Sequence, residues 1–140
     1  MRILVGVASR HGSTQEIAAR IADRLRERGH DIDLVDVTHS SREPVERYDA
    51  YVVGSAVYEG RWLRGARRFV LDNAVAMQHA LVWLFSSGPL DRSGNIGVDE
   101  HRLDELSRAV DARDHHEFTG RLDRAELGPV EGWIVDAVRA

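Results

Sequence analysis

Small hydroxyl-bearing residues and one glycine stand where an apolar run gives way to a helical pattern. The segment is Ser9-Arg10-His11-Gly12-Ser13-Thr14, directly after the apolar run Ile3–Ala8. Hydroxyls, free backbone N–H groups and the positive end of a helix dipole bind anions, and glycine lets the backbone approach a phosphate closely. The segment therefore predicts a phosphate-binding loop. Ser13 or Thr14 serving only as a helix N-cap is the alternative.

This first segment also excludes two common nucleotide sites. It has no lysine of the P-loop type and no G-x-G-x-x-G motif. Both motifs depend on those residues to hold phosphates, so their absence argues against nucleoside-triphosphate hydrolysis and against a standard NAD site.

Two later segments could hold a flat ring. One, Gly54 to Trp62, begins at the end of the apolar run Tyr51–Ser55 and contains two aromatics. The other, Ser86-Ser87-Gly88-Pro89-Leu90, follows the run Ala80–Phe85. An aromatic side chain can stack on a heteroaromatic ring while backbone groups bind the polar edge of that ring. Tyr58 is the better stacking candidate, because Trp62 also fits the apolar stripe of the next helix. The third segment is equally consistent with an ordinary turn.

The elements between these segments alternate in type. The predicted strands are Ile3–Ala8, Asp31–Val37 at an edge, Tyr51–Ser55, Ala80–Phe85 and, more weakly, His115–Thr119; apolar stripes at helical spacing occupy residues 17–25, 62–77 and 103–110, and Pro129 opens a fourth over Pro129–Arg139. Such alternation predicts parallel pairing, right-handed crossovers and a three-layer α/β sandwich of about five strands. Ligands bind at the carboxyl ends of such strands, where all three segments would lie.

Composition limits the other classes of function. The chain has 140 residues, 43% apolar and 30% charged, with a net charge of −4, which predicts a single globular domain rather than a nucleic-acid binder. It contains no cysteine, which excludes disulfides, thiolate metal sites and iron–sulfur clusters. No run approaches the roughly 20 apolar residues of a membrane helix. We expect a cytoplasmic protein with no stable membrane insertion and no metal site, since His115-His116-Glu117 lacks the spacing of a helical zinc motif.

Four arginines lie at or just after the end of the second segment, at positions 61, 64, 67 and 68. A solvated helix face explains them most simply. The alternative is a cationic rim, formed by Arg61 and Arg64 at the mouth of the site, that attracts an acidic substrate or partner.

The three segments, in this order and spacing, resemble the flavodoxin family. Ser9, Gly12 and Thr14 match its phosphate loop, whereas His11 stands where the family usually has a hydroxyl. The branch of menaquinone-dependent protoporphyrinogen IX dehydrogenases is the most similar. The matching residues are Arg10, Gly12, Thr14, Glu16, Ile17, Ala18, Tyr48, Asp49, Val53, Gly54, Ser55, Tyr58 and Gly60.

The resemblance implies a flavodoxin-like sheet of order 2-1-3-4-5 over residues 1–140, an FMN cofactor and redox chemistry. The partner would be a redox protein, a quinone or a small-molecule electron donor or acceptor. Ser9, Arg10, His11, Gly12, Ser13 and Thr14 would surround the FMN phosphate. Residues beside the isoalloxazine would be Ser55, Ala56, Val57, Tyr58, Gly60, Trp62, Ser86, Ser87, Gly88 and Pro89. No side chain is assigned as a catalytic acid or base.

Two other functions and one structural question stay open within this resemblance. The chain could be a protoporphyrinogen dehydrogenase that reduces menaquinone, or a degenerate flavodoxin fold that binds something other than a flavin. The third segment, Ser86 to Asp91, contains no aromatic, so we expect one flavin face without a stacked ring. At the C-terminus, either Pro129–Arg139 replaces the last helix of the family or a layer is missing, and the exposed apolar surface would then favour a homodimer.

Overall fold

The structure, a computed structural model, describes residues 1–10, 12–39, 47–88, 97–118 and 132. The strands are β1 (Arg2–Ala8), β2 (Asp31–Asp36), β3 (Ala50–Tyr58), β4 (Arg61–Trp62), β5 (Leu81–Ser87) and β6 (Asp114–Phe118). The helices are α1 (Ser13–Glu27), α2 (Arg64–Asp72), α3 (Ala74–Gln78) and α4 (Glu100–Val110).

Five of the strands form one parallel sheet in the order β2-β1-β3-β5-β6. The two-residue β4 pairs antiparallel with the end of β3. With β4 set aside, this is the predicted order 2-1-3-4-5, and the α/β fold class is confirmed. β2 lies at an edge as predicted, and only Ile32 among its residues is buried.

Helices cover the sheet on both faces. The apolar stripe of α1 packs on one face with Val5, Val52 and Phe85. Side chains of α2, α3 and α4 pack on the other face with Leu4, Val53 and Leu84. Alternate residues of each central strand therefore enter opposite cores, which is the reason these strands have nearly continuous apolar sequences.

The end of β3 differs from the prediction. The strand runs on through Ser55 to Tyr58, so most of the predicted second loop is strand. At Gly54, inside this strand, a Cβ would lie 2.0 Å from Cζ of Phe85. The glycine makes room for the aromatic ring of a neighbouring strand, a use of strand glycines that does not end the strand.

The predicted helical stripe from Trp62 to Met77 is wrong as a single helix. Glu59 and Gly60 have φ of 51° and 78°, as a two-residue type I′ hairpin turn requires. The chain therefore reverses direction, and Trp62, in β4, pairs with Val57, in β3. The helical part is then split at Asn73, whose backbone N–H and side-chain Nδ2–H both donate to the carbonyl of Phe69, over 3.1 and 2.8 Å.

The remaining boundaries shift by one or two residues. β5 ends at Ser87 rather than Phe85, and β6 spans Asp114–Phe118 rather than His115–Thr119. The predicted helix Pro129–Arg139 lies outside the described residues.

Candidate functional site

A pocket of about 560 Å³ opens at the carboxyl edge of the sheet, between the ends of β1, β3 and β5. We call it the edge pocket. Its described lining residues are Ser9, Arg10, Ser13, Thr14, Ala56, Val57, Tyr58, Glu59, Ser87 and Gly88. All three predicted segments contribute, because parallel strands end at the same edge.

One end of the edge pocket is the start of α1. The helix begins at Ser13, and its N-cap is Gly12, with φ 86° and no side-chain cap. The predicted alternative, with Ser13 or Thr14 as the N-cap, is wrong, because both lie inside the helix. The first intrahelical bond of this turn runs from Glu16 N–H to the Gly12 carbonyl over 3.1 Å. The N–H groups of Ser13 and Thr14 precede it and so have no acceptor within the helix.

Hydroxyls add donors at this end. Ser9 Oγ accepts from Gly12 N–H over 3.1 Å and folds the loop back on itself. Thr14 lines the pocket, is only 2% exposed, and forms no side-chain hydrogen bond within the described part of the chain. Together with the positive end of the helix dipole, these groups form a place suited to an anion.

The other end of the edge pocket is apolar and aromatic. Ala56 and Val57 form a wall at the end of β3, and the Tyr58 side chain is 49% exposed. The Arg10 guanidinium lies 4.5 Å from the centre of the Tyr58 ring, a cation–π contact that links the first segment to the second.

Glu59 also lines the edge pocket, and the sequence did not single it out. Its position follows from the tight turn between β3 and β4, which projects it at the rim beside Tyr58. The Glu-Gly pair is not one of the favoured Asn-Gly or Asp-Gly turn sequences, so the sequence indicates this hairpin turn only weakly.

Three predicted residues face the opposite side of the sheet. The Ser55 hydroxyl donates to the Ala56 carbonyl over 2.8 Å and accepts from Leu63 N–H over 2.9 Å. Trp62, 4% exposed, donates its Nε1–H to Ser86 Oγ over 2.7 Å. These groups hold α2 against the sheet and do not line the edge pocket.

The four other predicted residues have separate outcomes. Gly12 caps α1 without lining the pocket. Gly60 lies in the hairpin turn, where its carbonyl accepts from Asp99 N–H over 2.7 Å and fixes the turn to the start of α4. His11 and Pro89 lie outside the described residues.

A half-buried histidine completes the polar cluster around Ser86. His115 Nε2 lies 2.7 Å from Ser86 Oγ. Burial lowers the pKa of His115 from 6.5 to about 4, the Asp114 carboxylate raises it in part, and His116 lowers it. A neutral imidazole lets the Ser86 hydroxyl accept from Trp62 and donate to His115, so all three groups are satisfied.

The described residues contain neither a cluster of metal ligands nor a membrane-spanning helix. No group of three or more His, Cys, Asp or Glu residues there could hold a metal ion. No helix in that part of the chain is both long and apolar enough to cross a membrane.

The family model described as flavodoxin domain matches residues 4–140. The chain belongs to the flavodoxin domain family. Among curated proteins, this flavodoxin-domain protein is 33% identical over 78 residues to the protoporphyrinogen IX dehydrogenase [quinone] of Escherichia coli K12. That match covers 55% of this chain and 42% of the relative, so it spans less than half of the curated protein.

Solved structures share the fold at low sequence identity. Flavodoxin 1 from Bacillus cereus has a TM-score of 0.69 at 21% identity, with 99% of this chain and 98% of that chain covered. Rubredoxin oxygen:oxidoreductase from Desulfovibrio gigas has a TM-score of 0.75 at 13% identity, with 99% of this chain and 35% of that chain covered. The flavodoxin-domain protein thus has the fold of a whole flavodoxin and of one part of a larger oxidoreductase.

Proposed function

We propose that this flavodoxin-domain protein binds FMN in the edge pocket and transfers electrons. The observation that carries the proposal is the pocket itself, which joins the uncapped start of α1 to the exposed ring of Tyr58. FMN has the matching shape, with a phosphate at one end and a flat ring at the other. When bound, the flavin supplies the redox chemistry, and the protein binds and orients it.

The residues present fit this cofactor. Ser13, Thr14 and the backbone N–H groups of the first turn of α1 would hold the phosphate. Ala56, Val57 and Tyr58 would lie against the ring system, and the small residues Ser87 and Gly88 leave room beside it. The flavodoxin fold and the family match support this assignment.

The electron partner is part of the proposal and is named only by class: a redox protein, a quinone or a small-molecule donor or acceptor. A second candidate activity is the oxidation of a porphyrinogen with a quinone as acceptor. It is favoured by the relative named protoporphyrinogen IX dehydrogenase [quinone]. Anaerobic oxidation of protoporphyrinogen IX that requires an added menaquinone would support it, and no reaction would leave the general electron-transfer role.

The first test is the visible spectrum of the purified protein, followed by titration with FMN. We expect flavin absorption or tight binding of added FMN. Ser13→Ala with Thr14→Val removes two hydroxyl donors next to a charged phosphate, so affinity should fall by about tenfold for each hydroxyl lost.

Ser107→Ala is the matched control, since it removes one hydroxyl from α4, away from the edge pocket. It should leave FMN affinity unchanged. A colourless protein that ignores FMN overturns the proposal and favours a non-flavin binding module. Equal FMN affinity in the double variant and the wild type would contradict the placement of the FMN phosphate at the start of α1.

A further inference from the structure

A second pocket lies on the other side of Ser9 and Arg10 from the edge pocket. It measures about 550 Å³, and its described lining residues are Ser9, Arg10, Thr38, His39, Leu63, Arg64, Gly65 and Arg68. We call it the arginine pocket. Its walls are the chain after β1, the chain after β2 and the first turns of α2.

The walls of the arginine pocket are fixed by close contacts. Ser9 N–H donates to Thr38 Oγ1 over 3.1 Å, which joins the ends of β1 and β2. A Cβ on Gly65 would lie 2.1 Å from the Thr38 carbonyl oxygen, so the start of α2 rests directly on the chain after β2. The pocket is therefore a feature of packed backbone rather than of side chains alone.

The described lining carries three arginines and no carboxylate. Arg64 and Arg68 are one helical turn apart and exposed. Neither forms an ion pair with any carboxylate in the described part of the chain. Within the described residues, no carboxylate neutralises their charge.

Among the described residues, this arrangement is electrostatically unfavourable in the free protein. Like charges four residues apart on a helix repel each other, and positive charge is unfavourable at the positive end of a helix dipole. α2 has no acidic residue in its first turn and no side-chain cap that would offset the charge. A bound anion would remove this cost, so the cluster is better explained by a ligand than by folding.

We propose that the arginine pocket binds a phosphate-bearing molecule of nucleotide size. Guanidinium groups bind phosphate oxygens in pairs of hydrogen bonds, which favours a phosphate over a single-point anion. The volume matches that of the edge pocket and exceeds what a lone phosphate ion would fill. This site goes beyond the proposed flavin function, and Arg64 and Arg68 line only this pocket.

The test is calorimetric titration with ADP at constant ionic strength, using protein with and without saturating FMN. We expect ADP to bind in both cases, more tightly than inorganic phosphate or citrate. Arg64→Gln with Arg68→Gln should weaken ADP by at least about tenfold, since each loses a charge-assisted hydrogen bond. The control is Arg20→Gln with Arg61→Gln, which loses the same charge at exposed positions outside both pockets and should bind ADP like the wild type.

Several results would overturn the proposal. They are ADP affinity unchanged in the Arg64/Arg68 variant, an equal loss in the control, citrate binding as tightly as ADP, or competition between ADP and FMN. If FMN does not bind at all, the proposed flavin function fails. The ADP titration of the free protein still tests whether the arginine pocket binds a nucleotide.

Thermal melts of the free proteins give an independent readout. The Arg64/Arg68 variant should melt at a higher temperature than the wild type, because like-charge repulsion at the start of α2 is relieved. A lower melting temperature would show that the arginines serve the fold and would contradict the proposal.

Discussion

Hydrogen bonding distinguishes side chains that hold the fold together from side chains that face a pocket and could bind a ligand. Ser55 and Ser86 are buried with their hydroxyls engaged, whereas Thr14 is buried, forms no described side-chain hydrogen bond and faces a pocket. The sequence treated all three as candidate ligand contacts. Because a strand alternates its side chains between two faces, a one-residue difference in position decides which serine faces the pocket.

His115 predicts a pH-dependent stability. Unfolded chains take up its proton near pH 6.5, but the folded protein does so only near pH 4. The stability that neutral His115 contributes is therefore present above pH 6.5 and is lost as the pH falls towards 4. The loss amounts to as much as about 3 kcal/mol.

Urea unfolding between pH 4 and pH 7 measures this effect. His115→Gln removes the titrating group, so its unfolding free energy should fall less steeply with acid than that of the wild type. His79→Gln, at an exposed position, should keep the wild-type slope. Parallel curves for all three proteins would show that His115 is not responsible.

At the level of elements, the hairpin between β3 and β4 shapes the site. Its turn contains Glu59, a residue with a side chain in the left-handed region, which glycine and asparagine adopt at lower cost. Glu59→Asn should raise the unfolding free energy by about 1 kcal/mol.

Glu59→Gln is the control for this prediction, since it removes the charge and keeps the backbone preference. It should have the stability of the wild type in urea unfolding. If Glu59→Asn is no more stable than Glu59→Gln, the turn carries no strain at this position.

The elements also show where sequence patterns stop being informative. Apolar spacing located α1, α4 and the parallel strands to within a residue or three. It failed at β4, because a strand of two residues has no periodicity and Trp62 fits a helical stripe equally well. It failed at the end of β3, because the strand is continued by the pairing of Ala56 with β5 and of Val57 and Tyr58 with β4, which the apolar pattern does not indicate.

At the scale of the whole molecule, the sheet predicts a gradient of local stability. β1 and β3 are paired on both sides, while β2 pairs with β1 alone in the described sheet. Leu34 and Val35 of β2 are exposed, whereas Val52 and Val53 of β3 are buried. Amides of β3 should exchange only through global unfolding, and those of β2 through smaller openings.

Native-state hydrogen exchange at increasing denaturant distinguishes these cases. The exchange free energies of Val52 and Val53 should equal that of global unfolding and fall with denaturant. That of Val35, whose N–H faces β1, should be lower and nearly flat. Protection of β2 equal to that of β3 would mean that the edge strand unfolds with the core.

The overall architecture was the most predictable property of the chain. Alternating strand and helix patterns predict a parallel sheet with few allowed topologies, and the resemblance to the flavodoxin family implied the order of its five parallel strands. The site was less predictable, since the three segments indicated its edge but not which side chains turn towards it. The sequence indicated a cationic rim of Arg61 and Arg64 only as an alternative to a solvated helix face, and neither arginine lines the edge pocket.

Ser9 and Arg10 line both the edge pocket and the arginine pocket. If a ligand in one pocket moves this shared wall, it changes the affinity of the other pocket for its ligand, and the factor is the same in both directions. Arg10 also stacks on Tyr58, so its guanidinium can be drawn towards either ligand. The few residues after the first strand would thus allow the state of one pocket to be sensed in the other, with the coupling free energy set largely by one side chain.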